Sequence, residues 1–215
     1  MGPEAGQSSG PDPDGDVIEL IATDVGGALC RLMQRHGGAV YRYCRVALHD
    51  ATLADDVHQQ VFLQALRDLP RFAGRSLVRV WLFAIARHRV LDAVKQRRRS
   101  QDRFDELDDT EPPDPQRSPL DAIDDARLYE ALVACVAELD EPSRTAVLLR
   151  YQQGFTFDAM AEICQEKAGT LQARVTRAVQ RLRGAIEAHL CRDSSSTARR
   201  VTVRSGGTMA PAPVG

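Results

Sequence analysis

Residues Arg71–Arg99 read RFAGRSLVRVWLFAIARHRVLDAVKQRRR, and this stretch decides what the chain can be. Val78, Trp81, Leu82, Ile85 and Ala86 recur at steps of three and four, which lays one apolar stripe along a helix of period 3.6. Trp81 falls on that stripe and is expected in the core. Around it stand Arg71, Arg75, Arg79, Arg87, Arg89, Lys95, Arg97, Arg98 and Arg99, with Asp92 the lone acid. A helix that buries one stripe and displays this many cations is suited to face a polyanion, although a merely solvated basic helix has the same composition. The loop ahead of it favours a ligand. Arg71-Phe-Ala-Gly-Arg-Ser76 gathers an aromatic ring, a glycine and two cations beside a helix N-terminus, where free amides and the dipole attract anions.

The rest of the chain separates into blocks of opposite charge. Its 215 residues, 43% hydrophobic and 27% charged, suffice for one medium domain or two small ones. A net charge of −2 conceals basic residues 71–99, acidic residues 102–125 and basic residues 174–183. No apolar run is long enough to cross a bilayer, and Met1-Gly-Pro-Glu-Ala-Gly6 is no signal peptide, so a cytoplasmic protein without membrane insertion is expected. The five cysteines are scattered, with no Cys-x-x-Cys pair. Cys30, Cys44, Cys135 and Cys164 lie in apolar helical patterns and are expected as buried thiols, and Cys191 has no evident partner. No metal-ligand spacing, nucleotide-binding loop or nucleophile–base pair occurs. Neither a metal, a cofactor nor an enzymatic activity is therefore expected.

Taken in order, residues 1–15 are rich in Gly, Pro and Ser and are expected to be disordered. A helical stripe follows through Val17, Leu20, Ile21, Val25, Leu29, Leu32 and Met33, with a weak point expected at His36-Gly37-Gly38 before a turn at residues 49–52. Leu53–Leu69 is amphipathic, with Val57, Val61, Phe62, Ala65, Leu66 and Leu69 inward. Asp55, Asp56, His58, Gln59, Gln60, Gln64 and Arg67 lie outward, and His58 reads as a surface imidazole. Residues 16–99 thus form a first helical domain. Residues 100–126, acidic and proline-rich, form a flexible linker.

A second domain is expected over 127–191 and a disordered tail over 192–215. Leu128, Leu132, Val136 and Leu139 make one stripe; Val147, Leu148, Leu149 and Tyr151 follow on a helix closed by Gly154. Thr156 caps a short helix with Phe157, Met160, Ala161 and Cys164 inward. After the connector Gln165–Ala168, a longer helix buries Leu171, Val175, Ala178, Val179 and Leu182 and turns Gln172, Arg174, Thr176, Arg177 and Arg181 outward. That pattern fits a helix-turn-helix, as it fits other small bundles. The fold class is all-α: two small helical domains joined by a flexible acidic linker.

Both modules, in this order, resemble a bacterial RNA polymerase sigma factor of the extracytoplasmic-function (ECF) type, over about residues 25–99 and 127–190. Ala54-Asp-Asp-Val-His-Gln-Gln-Val-Phe62 is similar to the segment of region two that docks on the β′ clamp helices, which implies polymerase-binding roles for Asp55, Asp56, His58, Gln59, Gln60 and Phe62. Arg71-Phe-x-Gly-x-Ser76 and Val78-Arg-x-Trp-Leu-x-x-Ile-Ala-Arg87 resemble the segment that melts and reads the minus-ten element. The residues so implied are Arg71, Phe72, Gly74, Arg75, Ser76, Arg79, Arg87, His88, Arg89 and Lys95. Leu139-x-Glu-x-x-Arg144, Leu148-Leu-Arg-Tyr151, Gly154, Ala161-Glu-Ile163 and Gly169-Thr170 resemble region four. That resemblance implies minus-thirty-five contacts from Thr170, Gln172, Ala173, Arg174, Thr176, Arg177 and Arg181. The departures are Gln60 for the family's Glu, His88 for its Asn, Gln165-Glu-Lys167 for its Gly-x-Pro and Gln172 for its frequent Lys. They point to an unusual promoter sequence or a divergent member.

Residue chemistry fits such a task. Unstacking a duplex costs a few kcal/mol per step, so a melter must offer replacement contacts. Phe72 with Gly74-Arg75-Ser76 can accept an extruded base while Arg79, Arg87 and Arg89 hold phosphates. Thr170 suits a phosphate, Gln172 an adenine, and Arg174 or Arg177 a guanine. The resemblance implies core RNA polymerase (β′ clamp helices and β flap), promoter DNA and an anti-sigma factor as partners, and a stress- or signal-responsive regulon. Two other readings stand beside it: a stand-alone helix-turn-helix regulator, and a polymerase or anti-sigma interaction module without promoter reading.

Overall fold

The computed structural model describes the backbone of residues 13–101 and 132–203 and the side chains of 13–100 and 132–186. All elements among the described residues are helical. The first module comprises α1 (Gly15–Ile21), α2 (Val25–Leu48), α3 (Ala51–Asp68), a 3-10 turn (Leu69–Arg71) and α4 (Val78–Gln101). The second comprises the helical residues 132–137 (α5), α6 (Glu141–Val147), a π turn (Leu148–Gln152), α7 (Phe157–Cys164) and α8 (Ala168–Val203).

Side-chain chemistry sets the boundaries of the first module. Asp24 caps α2 by accepting from the Gly27 amide at 2.9 Å, and a Cβ on Gly27 would stand 2.3 Å from that carboxylate. His49 ends α2 in the left-handed region at φ 54°, and Asp50 at once caps α3 by accepting from the Leu53 amide at 2.9 Å. Two residues therefore reverse the chain between antiparallel helices.

Four expectations fail here for identifiable reasons. The break before α2 falls at Ala22–Asp24, and α2 runs unbroken through Gly37-Gly38, because Gly37 is buried beneath α3 and tertiary packing outweighs glycine's poor propensity. Order begins before the expected end of the tail: Asp14 is fully buried and accepts from His36 Nε2 at 2.8 Å and from Arg35 at 2.6 Å, pinning α1 to α2. Cys30 and Leu66, expected inward, are exposed, whereas Cys44, Cys135 and Cys164 are buried. Helix α4 carries more than one buried stripe. Val80 and Phe83 join Val78, Leu82 and Ala86 inside, while Trp81 and Ile85 are only half-buried.

The last of these follows from the packing of the two modules. Helix α4 lies against α2 and α3 on one side and α7 on the other, so the modules share one core. Phe83 meets Phe155 edge-on with ring centroids 5.0 Å apart. Arg144 of α6 donates to the carbonyls of Val136, Ala137 and Leu139 in its own module and to Ala47 at the end of α2 at 2.9 Å. Gln153, buried behind the π turn, donates to the Ala39 carbonyl at 3.3 Å. Burial in this shared core lifts the Cys44 thiol to about 12 and the Cys164 thiol to about 11.

In the second module, Thr156 caps α7 by accepting from the Ala159 amide at 3.2 Å, and Gln165 ends it at φ 55°. Leu171, Val175, Ala178 and Leu182 are buried, with Val179 at the edge. Leu132 is exposed, and Leu128 lies outside the described residues. Helix α8 opens at Ala168 and continues past residue 191, where a tail was expected, to Val203. Residues 102–126 of the expected linker, residues 204–215 and the side chain of Cys191 lie outside the described set.

Candidate functional site

Three surfaces carry the predicted residues. On α3, Asp55, Asp56, Gln59 and Gln60 are exposed along one side. The Asp55 carboxylate lies against Tyr41 and, chiefly through that hydrogen bond, raises the phenol above its ordinary pKa. His58 and Phe62 differ from their neighbours. His58 is half-buried, donates Nε2–H to the Gly37 carbonyl at 3.1 Å and lies between the rings of Tyr41 (5.5 Å) and Phe62 (5.1 Å). Phe62 is 4% exposed. These two set the spacing of α2 and α3 beneath the polar face, so His58 is no free surface imidazole.

The second surface is the loop between the 3-10 turn and α4. Arg71, Gly74 and Arg75 are exposed, and Gly74 holds φ 65°, which favours glycine. Phe72 leans on Trp81 with ring centroids 5.2 Å apart. The two rings join Asp68, Arg71, Arg75 and Ser76 around an open hollow of about 490 Å³. Trp81 thus lines a surface hollow instead of filling the core. Asp68, missed in the sequence, belongs to the same hollow. Its i, i+4 spacing from Gln64 was the available signal, and Gln64 donates to it at 2.6 Å.

The cations of α4 are not equivalent, contrary to the reading of one basic face. Arg79 is half-buried: its guanidinium donates to the Gln153 carbonyl and stacks over the Phe155 ring at 4.3 Å. Burial pulls its pKa below the ordinary arginine value. Arg87 is also half-buried, and its Nε has no hydrogen-bond partner among the described residues. Arg89 donates to Gln64 at 2.6 Å. His88 is 72% exposed and 3.4 Å from Asp92, and Lys95 is exposed. Arg97 donates to the Leu48 carbonyl.

The third surface is the exposed side of α8. Thr170, Gln172, Ala173, Thr176, Arg177 and Arg181 are exposed in successive turns. Arg174 is not displayed with them. It forms a two-pronged pair with Glu166 of the connector, at 2.9 and 2.8 Å, with side chains only 21% and 28% exposed. That pair ties the connector to α8, and it lowers the Glu166 pKa while raising that of Arg174.

Comparisons with known proteins place both modules in described families. Residues 32–100 match the family described as Sigma-70 region 2, and residues 129–182 match Sigma-70, region 4. The "Probable RNA polymerase sigma-C factor" of Mycobacterium bovis is 37% identical over 134 residues, covering 61% of this chain and 69% of that protein. The "ECF RNA polymerase sigma factor BldN" of Streptomyces coelicolor is 31% identical over 173 residues, covering 78% and 64%. Among solved structures, the sigma factor RpoE in complex with the anti-sigma factor NepR from Bartonella quintana superposes with a TM-score of 0.64 at 22% identity, over 73% of this chain and 95% of that one. CnrH in complex with the cytosolic domain of CnrY gives 0.62 at 24% identity, over 81% and 97%.

Proposed function

The chain belongs to the ECF family of RNA polymerase sigma factors, which direct the polymerase to promoters, and from that premise we propose a division of the work among its surfaces. Asp55, Asp56, Gln59 and Gln60 meet the β′ clamp helices of core polymerase, on a face held in shape by His58 and Phe62. Arg71, Phe72, Gly74, Arg75 and Ser76 take the opened minus-ten strand, with Arg87, His88, Arg89 and Lys95 along the same helix. Thr170, Gln172, Ala173, Thr176, Arg177 and Arg181 enter the major groove at the minus-thirty-five element, and the second module also contacts the β flap. Arg174 serves as a strut through Glu166. An anti-sigma factor is a partner, as it is for RpoE in its complex with NepR.

The observation that carries this reading is the presence, on one chain, of an exposed acidic and amide face on α3 and two cation-bearing surfaces on separate modules. Run-off transcription with purified core polymerase on pooled genomic promoters tests it. Discrete transcripts are expected, lost with Asp56→Arg and reduced in number with Arg177→Ala. Binding to core without transcripts would instead mark an interaction module. Binding to DNA alone would mark a stand-alone regulator.

A further inference from the structure

Behind the loop hollow runs a short chain of hydrogen bonds. Arg89 donates to Gln64 Oε1 at 2.6 Å, and Gln64 Nε2 donates to Asp68 Oδ2 at 2.6 Å. Asp92 lies 3.9 Å from the other end of the Arg89 guanidinium. The Gln64 amide is engaged at both ends, and only one orientation satisfies it, because a flip would set its oxygen against a carboxylate. Asp68 is therefore held by one oxygen. Its other oxygen, Oδ1, has no hydrogen-bond partner among the described residues, and the residue lines the hollow.

The remaining walls suit a nucleobase. Phe72 and Trp81 offer aromatic surface for stacking. Arg71 and Arg75 line the same hollow as the carboxylate, so donors and an acceptor share its wall. A cation-only rim would attract phosphate and distinguish no base. A carboxylate added to it distinguishes strongly.

We propose that Asp68, held in place by Gln64 and Arg89, selects the unpaired base that enters this hollow. Its free oxygen accepts from an exocyclic amine, so adenine, cytosine or guanine is admitted and thymine is rejected. Thymine presents a carbonyl oxygen on each side of its single ring N–H, and those lone pairs face the carboxylate. Asp68 is thus a specificity residue and Gln64 a positioning residue. The inference rests on the reading that the loop receives an extruded promoter base.

The test uses the full chain assembled with core polymerase and a pool of fork-junction DNAs whose single-stranded segment is randomised, with the bound fraction sequenced. One position is expected to lose thymine about tenfold or more in the wild type, as one good hydrogen-bonded base contact permits. Asp68→Asn, which offers a donor as well as an acceptor and no charge, should abolish that depletion at this position and leave the others unchanged. Gln64→Leu keeps the carboxylate but releases it, and should weaken the same discrimination in part. A purely structural role would move every position together. Thymine depletion that survives Asp68→Asn but collapses with Phe72→Ala would overturn the assignment to Asp68 and leave base capture standing. If no position responds to Phe72→Ala, the hollow receives no base and both readings fall.

Discussion

His49 shows how one residue can hold a turn and a titration together. It ends α2 in the left-handed region, and its Nε2 is buried without a hydrogen-bond partner among the described residues. Burial first, then the guanidinium groups of Arg144 and Arg97, lower its pKa from 6.5 to about 4. The unfolded chain binds a proton on this ring at a higher pH than the folded chain does. The residue's contribution is therefore complete above pH 6.5 and is lost as pH falls toward 4. His49→Asn, which tolerates the same backbone conformation, should flatten the loss of stability over that window in urea titrations. Other single residues mark where the sequence stopped being legible. Arg79 and Arg174 read as free cations because periodicity places them outward. Their partners, the Gln153 carbonyl and Glu166, are chosen by contacts 74 and 8 residues away. Asp68 escaped notice because a lone acid at the C-terminal end of a helix carries no motif of its own, and its place in the hollow is set only by the fold.

At the scale of elements, the periodic segments were legible and the glycine pair was not. The amphipathic α3 and the α7–α8 pair follow their apolar spacing closely, since each buries a single stripe. Helix α2 is different. Buried residues Leu32, His36, Gly37, Val40 and Tyr43 bracket the glycines on both sides, and the His58 bond to the Gly37 carbonyl crosses at that point. The helix is kept continuous by its neighbours, at the cost of two poor helix formers. A Cβ on Gly38 would meet only the Arg42 side-chain tip at 3.4 Å, which can swing aside. Gly38→Ala should accordingly stabilise the protein by about 0.5–1 kcal/mol, seen as a raised denaturation midpoint with an unchanged slope. Helix α4 misled for the opposite reason. A single stripe was read where two modules each claim a side.

At the scale of the whole molecule, two domains were legible and their contact was not. A linker of acidic, proline-rich composition suggests independent modules, yet Phe83, Phe155, Arg79, Gln153 and Arg144 join them through one core. Phe155→Ala removes a buried ring from that contact and should cost about 3–5 kcal/mol of packing there. The expected result in solution scattering is a larger radius of gyration with unchanged helix content by circular dichroism. An unchanged radius would show that the remaining contacts suffice.

The acceptors at that contact have a consequence for ionic strength. Arg79 and Arg144 are held there by peptide oxygens, those of Gln153 and Ala47, which carry no net charge. Breaking such bonds releases few counterions, whereas each phosphate neutralised on DNA releases nearly one. The contact between the modules is thus almost indifferent to salt, and the proposed promoter complex, if it requires the modules to part, is not. A plot of log affinity for a promoter fragment against log salt concentration should fall with a slope set by phosphate contacts alone. Phe155→Ala should displace that line upward without tilting it. In the wild-type chain, promoter occupancy would then cross its threshold at a lower salt concentration than the phosphate contacts alone would dictate.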